Sequence, residues 1–156
     1  MSSPPPPGPK GAGEYLELLN LGPGAAAVET LALVGQDGVL HPLLASAPPL
    51  PVRLLPGERA LAVGASFEAE RYHLPPGTPV LRAATQRLLG HGLSGEAPPP
   101  LRIVFAGPVP VELASFPGSS ERCAPGASLQ RDETAPPGAP AAFHCGQQGG
   151  TPGAPP

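Results

Sequence analysis

Glu14-Tyr15-Leu16-Glu17-Leu18-Leu19-Asn20 is where alternation begins in this chain. Side chains of an extended strand point to opposite faces in turn. Leu16 and Leu18 therefore share one face, and Tyr15, Glu17 and Leu19 the other. Asn20-Leu21-Gly22-Pro23-Gly24 then ends the strand with residues suited to turns. Before the strand, Pro4-Pro5-Pro6-Pro7-Gly8-Pro9 suits polyproline II and formally contains a P-x-x-P ligand. A linker or tail is the simpler expectation for residues 1–13.

Moving outward, the same grammar recurs. Val28 to Val34 is apolar and β-branched, and Gly35-Gln36-Asp37-Gly38 closes it with an Asp-Gly pair suited to a tight turn. Val39-Leu40 is the candidate returning strand. Residues 41–49 read as a loop, because prolines bar a central strand. A short strand over Leu50 to Leu55, weakened by Pro51, leads to the turn Pro56-Gly57. Arg59 to Phe67 places Leu61, Val63, Ala65 and Phe67 on one face. Pro75-Pro76-Gly77 repeats the turn before Val80-Leu81-Arg82. Residues 83–91 are the one place where a helical turn or two fits. Leu101 to Phe105, Ala106-Gly107-Pro108 and Val109 to Phe116 form the clearest hairpin. Beyond Pro117 the pattern thins to two islands, Ser128 to Asp132 and Ala142 to Cys145. The last residues, 148–156, read as a second tail.

Composition sharpens this division. The chain has 156 residues with 27 prolines and 21 glycines, a fraction that ordinarily argues for disorder. Yet the distribution places the less interrupted, apolar sequence between residues 14 and 116. Hydrophobic residues are 40% and charged residues 13%, whereas disordered chains combine low hydrophobicity with high net charge. The expectation is one domain over residues 14–147, with ragged ends at 1–13 and 148–156. About seven or more short strands, with turns between and no sustained helical period, predict an all-β antiparallel sandwich.

Charge and hydropathy exclude some classes. Net charge is −3, with Lys10 the only lysine, so no basic block supports nucleic-acid binding. No apolar run approaches the ~20 residues of a membrane-spanning helix. Met1 to Gly13 lacks the apolar core of a signal peptide. The reading leaves open a cytosolic protein or a piece of a longer one.

Four pieces resemble the lamin-tail domain family. Glu14 to Asn20 is similar to its opening "E-W-V-E-L-Y-N" strand. Arg53-Leu54-Leu55-Pro56-Gly57-Glu58-Arg59-Ala60-Leu61-Ala62-Val63-Gly64 is similar to its "L-x-P-G" turn and following strand. Leu101 to Phe116 sits where the family has its hairpin. Ser128-Leu129-Gln130-Arg131 and Thr151-Pro152-Gly153-Ala154-Pro155 resemble "S-L-x-R" and "T-P-G-x-P-N" pieces of bacterial members. The departures are Tyr15 for the family's Trp, Glu29 to Leu33 without its Gly and Trp, Ala106-Gly107-Pro108 for its Asp-Gly-type hairpin turn, and Pro156 for its final Asn. The resemblance implies an immunoglobulin-like sandwich with Leu16, Leu18, Leu31, Leu33, Leu61, Val63, Ile103, Phe105, Val111 and Leu113 as family-motif core. It implies a non-catalytic interaction module with a protein or cell-surface partner, at the bacterial envelope or outside the cell. The alternative it allows is an accessory targeting domain of a larger secreted hydrolase or nuclease.

Chemistry-bearing residues are sparse. Cys123 and Cys145 bracket the weakly patterned region with 21 residues between them. A disulfide there would contribute about 3 kcal/mol on the chain-entropy view. Two free thiols in a reducing compartment are the alternative. A metal set of Cys123, His144, Cys145 and His73 or His91 lacks the close ligand pair zinc sites use. His91-Gly92-Leu93-Ser94-Gly95 fails the G-x-S-x-G pattern at Glu96. Gly22-Pro23-Gly24 lacks an N–H at Pro23 for cradling phosphate. Glu14 and Glu17 fall on opposite faces, so they read as a solvated edge that resists strand pairing rather than an acid–base pair. No cofactor, metal or catalytic residue is expected.

Overall fold

A computed structural model describes residues 14–27, 31–47, 53–72, 74–90, 100–109, 111–116, 127–131 and 143–148. Among them the chain is all-β, with twelve strands. These are β1 Tyr15–Leu19, β2 Ala26–Ala27, β3 Leu31–Val34, β4 Leu40–Pro42, β5 Leu44–Ala47 and β6 Arg53–Leu54. They continue as β7 Arg59–Val63, β8 Val80–Arg82, β9 Leu101–Phe105, β10 Val111–Phe116, β11 Ala127–Arg131 and β12 Phe143–Gln148. The first four-stranded sheet has the order β1-β7-β8-β5, and the second β10-β9-β3-β4. Two small pairs, β2-β6 and β11-β12, accompany them.

Both large sheets turn leucines to one shared core. From the first sheet come Leu18, Ala60, Ala62 and Leu81, and from the second Leu31, Leu33 and Leu101. Leu16, Ile103, Phe105 and Phe116 pack against them as partly buried neighbours. The register explains the sharing. Leu16 and Leu18 lie opposite Ala62 and Ala60, and Leu31 and Leu33 lie opposite Phe105 and Ile103. β7 contributes only small alanines here, so leucines supply the bulk that the sequence, lacking Trp, does not take from aromatic rings. Two facing sheets on one apolar layer form a sandwich-like architecture.

The opposite face of the first sheet is also covered. Leu61, Val63 and Val80 pack there with Phe67, and Tyr15, Tyr72 and Leu74 lie against them. Leu61 and Val63 thus belong to this outer cluster, not to the layer between the sheets. The covering residues come from the segment joining β7 to β8, which run parallel. A parallel neighbour requires a crossover of about a dozen residues or more, and residues 64–79 provide it. Tyr15 meets Tyr72 edge-on at 5.3 Å, and Phe67 stacks on Tyr72 at 6.0 Å. Arg82 pins the crossover by donating to the Phe67 carbonyl at 3.0 Å, with its guanidinium 5.8 Å from the Phe67 ring centroid.

Several expectations need correction. The pairing is not wholly antiparallel, because β7 and β8 are parallel. The helical turn falls at Ala69–Arg71, inside the crossover. Residues 83–90 are bends and turns instead, yet Leu88 and Leu89 are buried in the shared core. Residues 41–47 are not loop. Pro42 ends β4, an edge strand, where a missing N–H breaks no ladder. The chain then changes sheets at the fully buried Leu43, whose N–H donates to the Leu31 carbonyl at 3.0 Å. The two C-terminal islands pair with each other as β11 and β12.

The proline–glycine turns follow their chemistry. Glu58 N–H donates to the Leu55 carbonyl at 2.9 Å, and Thr78 N–H donates to the Pro75 carbonyl at 3.2 Å. Gly57 and Gly77 hold φ of 83° and 80°, which side-chain-bearing residues resist.

Candidate functional site

The edge strand β10 carries two exposed large apolar residues. Val111 is 54% and Leu113 46% exposed, and Val109 in the preceding turn is 77% exposed. This corrects the expectation that Val111 and Leu113 lie in the core. The cause is a bulge between Glu112 and Ala114 in the pairing with β9. Leu113 is the extra residue. Beyond it the register has shifted by one, with the exposed Ala114 opposite Ile103 and the half-buried Phe116 opposite Leu101. Val111 lies opposite Phe105 at the outer edge of the sheet, where no further described strand covers it.

An open cleft of about 380 Å³ adjoins the far end of β10. Val34, Gly35 and Gln36 line it from the β3 end, Leu101 and Arg102 from β9, and Ser115 from β10. Arg102 and Glu112 face each other at 3.9 Å, both about half exposed. Such an exposed pair contributes between nothing and about 1 kcal/mol. Both groups remain open to a partner's polar atoms.

Other charged groups hold the fold. Glu14 accepts from the Leu88 N–H at 3.0 Å and faces Arg87 at 3.7 Å, tying β1 to the 83–90 segment. Glu17 accepts from Arg59 at 3.0 Å, on the outer face of the first sheet. Both glutamates therefore have intramolecular partners, contrary to the solvated edge expected of them. Glu58 accepts from the Leu55 N–H at 3.2 Å within its own turn.

Asn20 is the residue whose role the sequence conceals. Its amide donates to the Leu54 carbonyl at 2.8 Å and the Gly24 carbonyl at 3.0 Å, while its Oδ1 accepts from Gly22 N–H at 2.8 Å. Its backbone adds bonds to Gly57 and Glu58. The local bond to Gly22 is an Asx turn, foreseeable from an asparagine at a strand end. The bond to Leu54 spans 34 positions and leaves no local trace. Because Gly22 N–H is occupied in this way, the Gly22-Pro23-Gly24 turn does not offer it to an anion.

The remaining candidates divide by position. His144 and Cys145 lie on β12, opposite Gln130 and Leu129. Cys123, His73, His91 and the Gly92–Glu96 stretch lie outside the described residues. Among the described residues no three His, Cys, Asp or Glu groups converge as a metal site. No described helix is long and apolar enough to cross a membrane.

Fold and surface together define an all-β, two-sheet protein with an apolar edge beside an open cleft. Comparison with protein-family models, curated proteins and solved structures gave no match.

Proposed function

We propose that the chain is a β-sandwich binding module of the lamin-tail, immunoglobulin-like type. It engages a protein or cell-surface partner through the β10 edge and the cleft beside it. The carrying observation is Val111 and Leu113, both exposed on the edge strand β10 with Val109 exposed in the turn before it, while Leu18, Leu31, Leu33, Leu61, Leu81 and Leu101 of the two sheets are buried. Exposed apolar surface of this kind marks contact sites when rimmed by polar groups, and Glu112 and Arg102 supply that rim. A binding role fits the carboxylates as well, since Glu14, Glu17 and Glu58 are engaged in holding strands and turns. The lamin-tail assignment rests on the order of its pieces. Glu14 to Asn20 covers β1, the "L-x-P-G" piece covers β6, its turn and β7, and Leu101 to Phe116 covers the β9–β10 hairpin.

The envelope or the extracellular space suits a Cys123–Cys145 linkage. Peptide mapping without reductant should find it, and two alkylatable thiols would count against that compartment. The binding reading is tested by replacing both Val111 and Leu113 with lysine. Thermal stability should be unchanged, and partners crosslinked to the tagged chain in cells should disappear. Retention of the same partners would overturn the assignment of the edge.

A further inference from the structure

The β3–β4 turn contains Asp37-Gly38, both exposed. An aspartyl-glycyl bond is chemically special because glycine has no side chain to shield its backbone nitrogen. That nitrogen can attack the Cγ of the preceding aspartate. In the folded turn each reacting group is held elsewhere. Gly38 N–H donates to the Gly35 carbonyl at 3.2 Å, and Asp37 Oδ1 accepts from Val39 N–H at 3.1 Å. The first bond closes the turn, and the second is an Asx turn that draws the carboxylate toward the residue beyond Gly38.

We propose that Asp37–Gly38 is a site of spontaneous isoaspartate formation that the folded hairpin holds in check. In the first step a bond forms between Gly38 N and Asp37 Cγ. The hydroxyl of the protonated carboxyl leaves as water with the amide proton, and a five-membered succinimide results. In the second step water opens the ring at the Asp37 backbone carbonyl. Gly38 then remains linked through Cγ, and Asp37 carries a free α-carboxylate. The water lost is regained, so mass and redox state are unchanged, and one extra carbon lies in the main chain.

That extra carbon has a defined place to act. The turn sets the pairing of Val34 with Leu40 and Leu33 with His41. Lengthening it displaces β4, a strand held on one side only, at the edge of the second sheet. Gly35, Gln36 and Gly38 also line the cleft beside β10, so the same event reshapes that surface.

The test compares the full chain aged in neutral buffer, folded and in urea, with isoaspartate at residue 37 read by electron-transfer fragmentation. An opening-gated reaction should run at least about tenfold slower in the folded chain. Equal rates would overturn the protection, and absence of isoaspartate in both samples would overturn the site. Asp37→Asn keeps the Oδ1 acceptor and turns the same cyclisation into a deamidation visible by mass. It should show the same folded-to-urea contrast, and a missing contrast would again sink the proposal. Isolated isoaspartyl protein should exchange the His41 amide, which faces Leu33 across the β3–β4 ladder, faster, whereas unchanged exchange there would refute the displacement of β4.

Discussion

Asn20 shows how one polar side chain can close the end of a sandwich. A strand end, the turn of residues 21–24, the β6 carbonyl of Leu54 and the Leu55–Glu58 turn all meet at it. Asn20→Ala removes both amide donors and leaves a part-buried carbonyl and N–H without their partner. The expected loss is about 2 kcal/mol, read as a lowered urea midpoint at constant slope. Asn20→Asp keeps the acceptor for Gly22 N–H but sets a carboxylate against two carbonyl oxygens, so it should destabilise at least as much. If Asn20→Asp were neutral, the bond to Gly22 alone would account for the residue. Gly64 makes the complementary point about space. A Cβ there would sit 2.9 Å from the Arg87 Cα, closer than side-chain carbons approach backbone. Glycine is needed where β7 passes under the 85–87 segment, which it meets through bonds from Ala65 and Ser66.

At the scale of elements, the crossover of residues 64–79 is the feature that sets this sandwich apart from a wholly antiparallel one. It places β8 parallel to β7 and spreads Phe67, Tyr72 and Leu74 over the outer face of the first sheet. Arg82 joins the crossover to β8 through the Phe67 carbonyl, with a longer contact of 3.4 Å to the Gly64 carbonyl. Arg82→Gln should therefore cost about 1–2 kcal/mol. Hydrogen exchange should quicken across residues 64–79 and stay unchanged in β9 and β10. Unchanged protection of the crossover would show that aromatic packing holds it without the guanidinium. The β10 bulge acts at the same scale. It breaks a period-two pattern that reads as continuous in sequence, and it blunts an edge that would otherwise pair readily with another strand.

Across the whole molecule, the largest apolar cluster among the described residues is the layer to which both sheets contribute. Leu33 is fully buried at its centre, whereas Leu113 lies nearly half exposed on the edge. Leu33→Ala should cost about 2–5 kcal/mol, and Leu113→Ala should stay within about 0.5 kcal/mol. Because the sheets share the layer, circular dichroism and tyrosine fluorescence should report a single coincident transition in the Leu33 variant. Two separated transitions would show that the sheets unfold independently.

Local sequence determined most of the strands, most turns and the class of the fold, though not the strands over residues 41–47. Alternation over Glu14–Asn20, the Pro56-Gly57 and Pro76-Gly77 turns and the Leu101–Phe116 hairpin are all set by neighbours within a few positions. Their physical causes, side-chain period and backbone torsion, act over that same range. Tertiary structure alone decided which strands became neighbours. It put β8 parallel to β7, sent the chain between sheets at Leu43, joined Asn20 to Leu54 and turned Glu14 toward Leu88. It also decided the candidate site. Val111 and Leu113 have core-like composition, and only the bulge against β9 and their place at the sheet edge leave them exposed. Such contacts depend on chain segments brought together from far apart, where no local pattern records the partner.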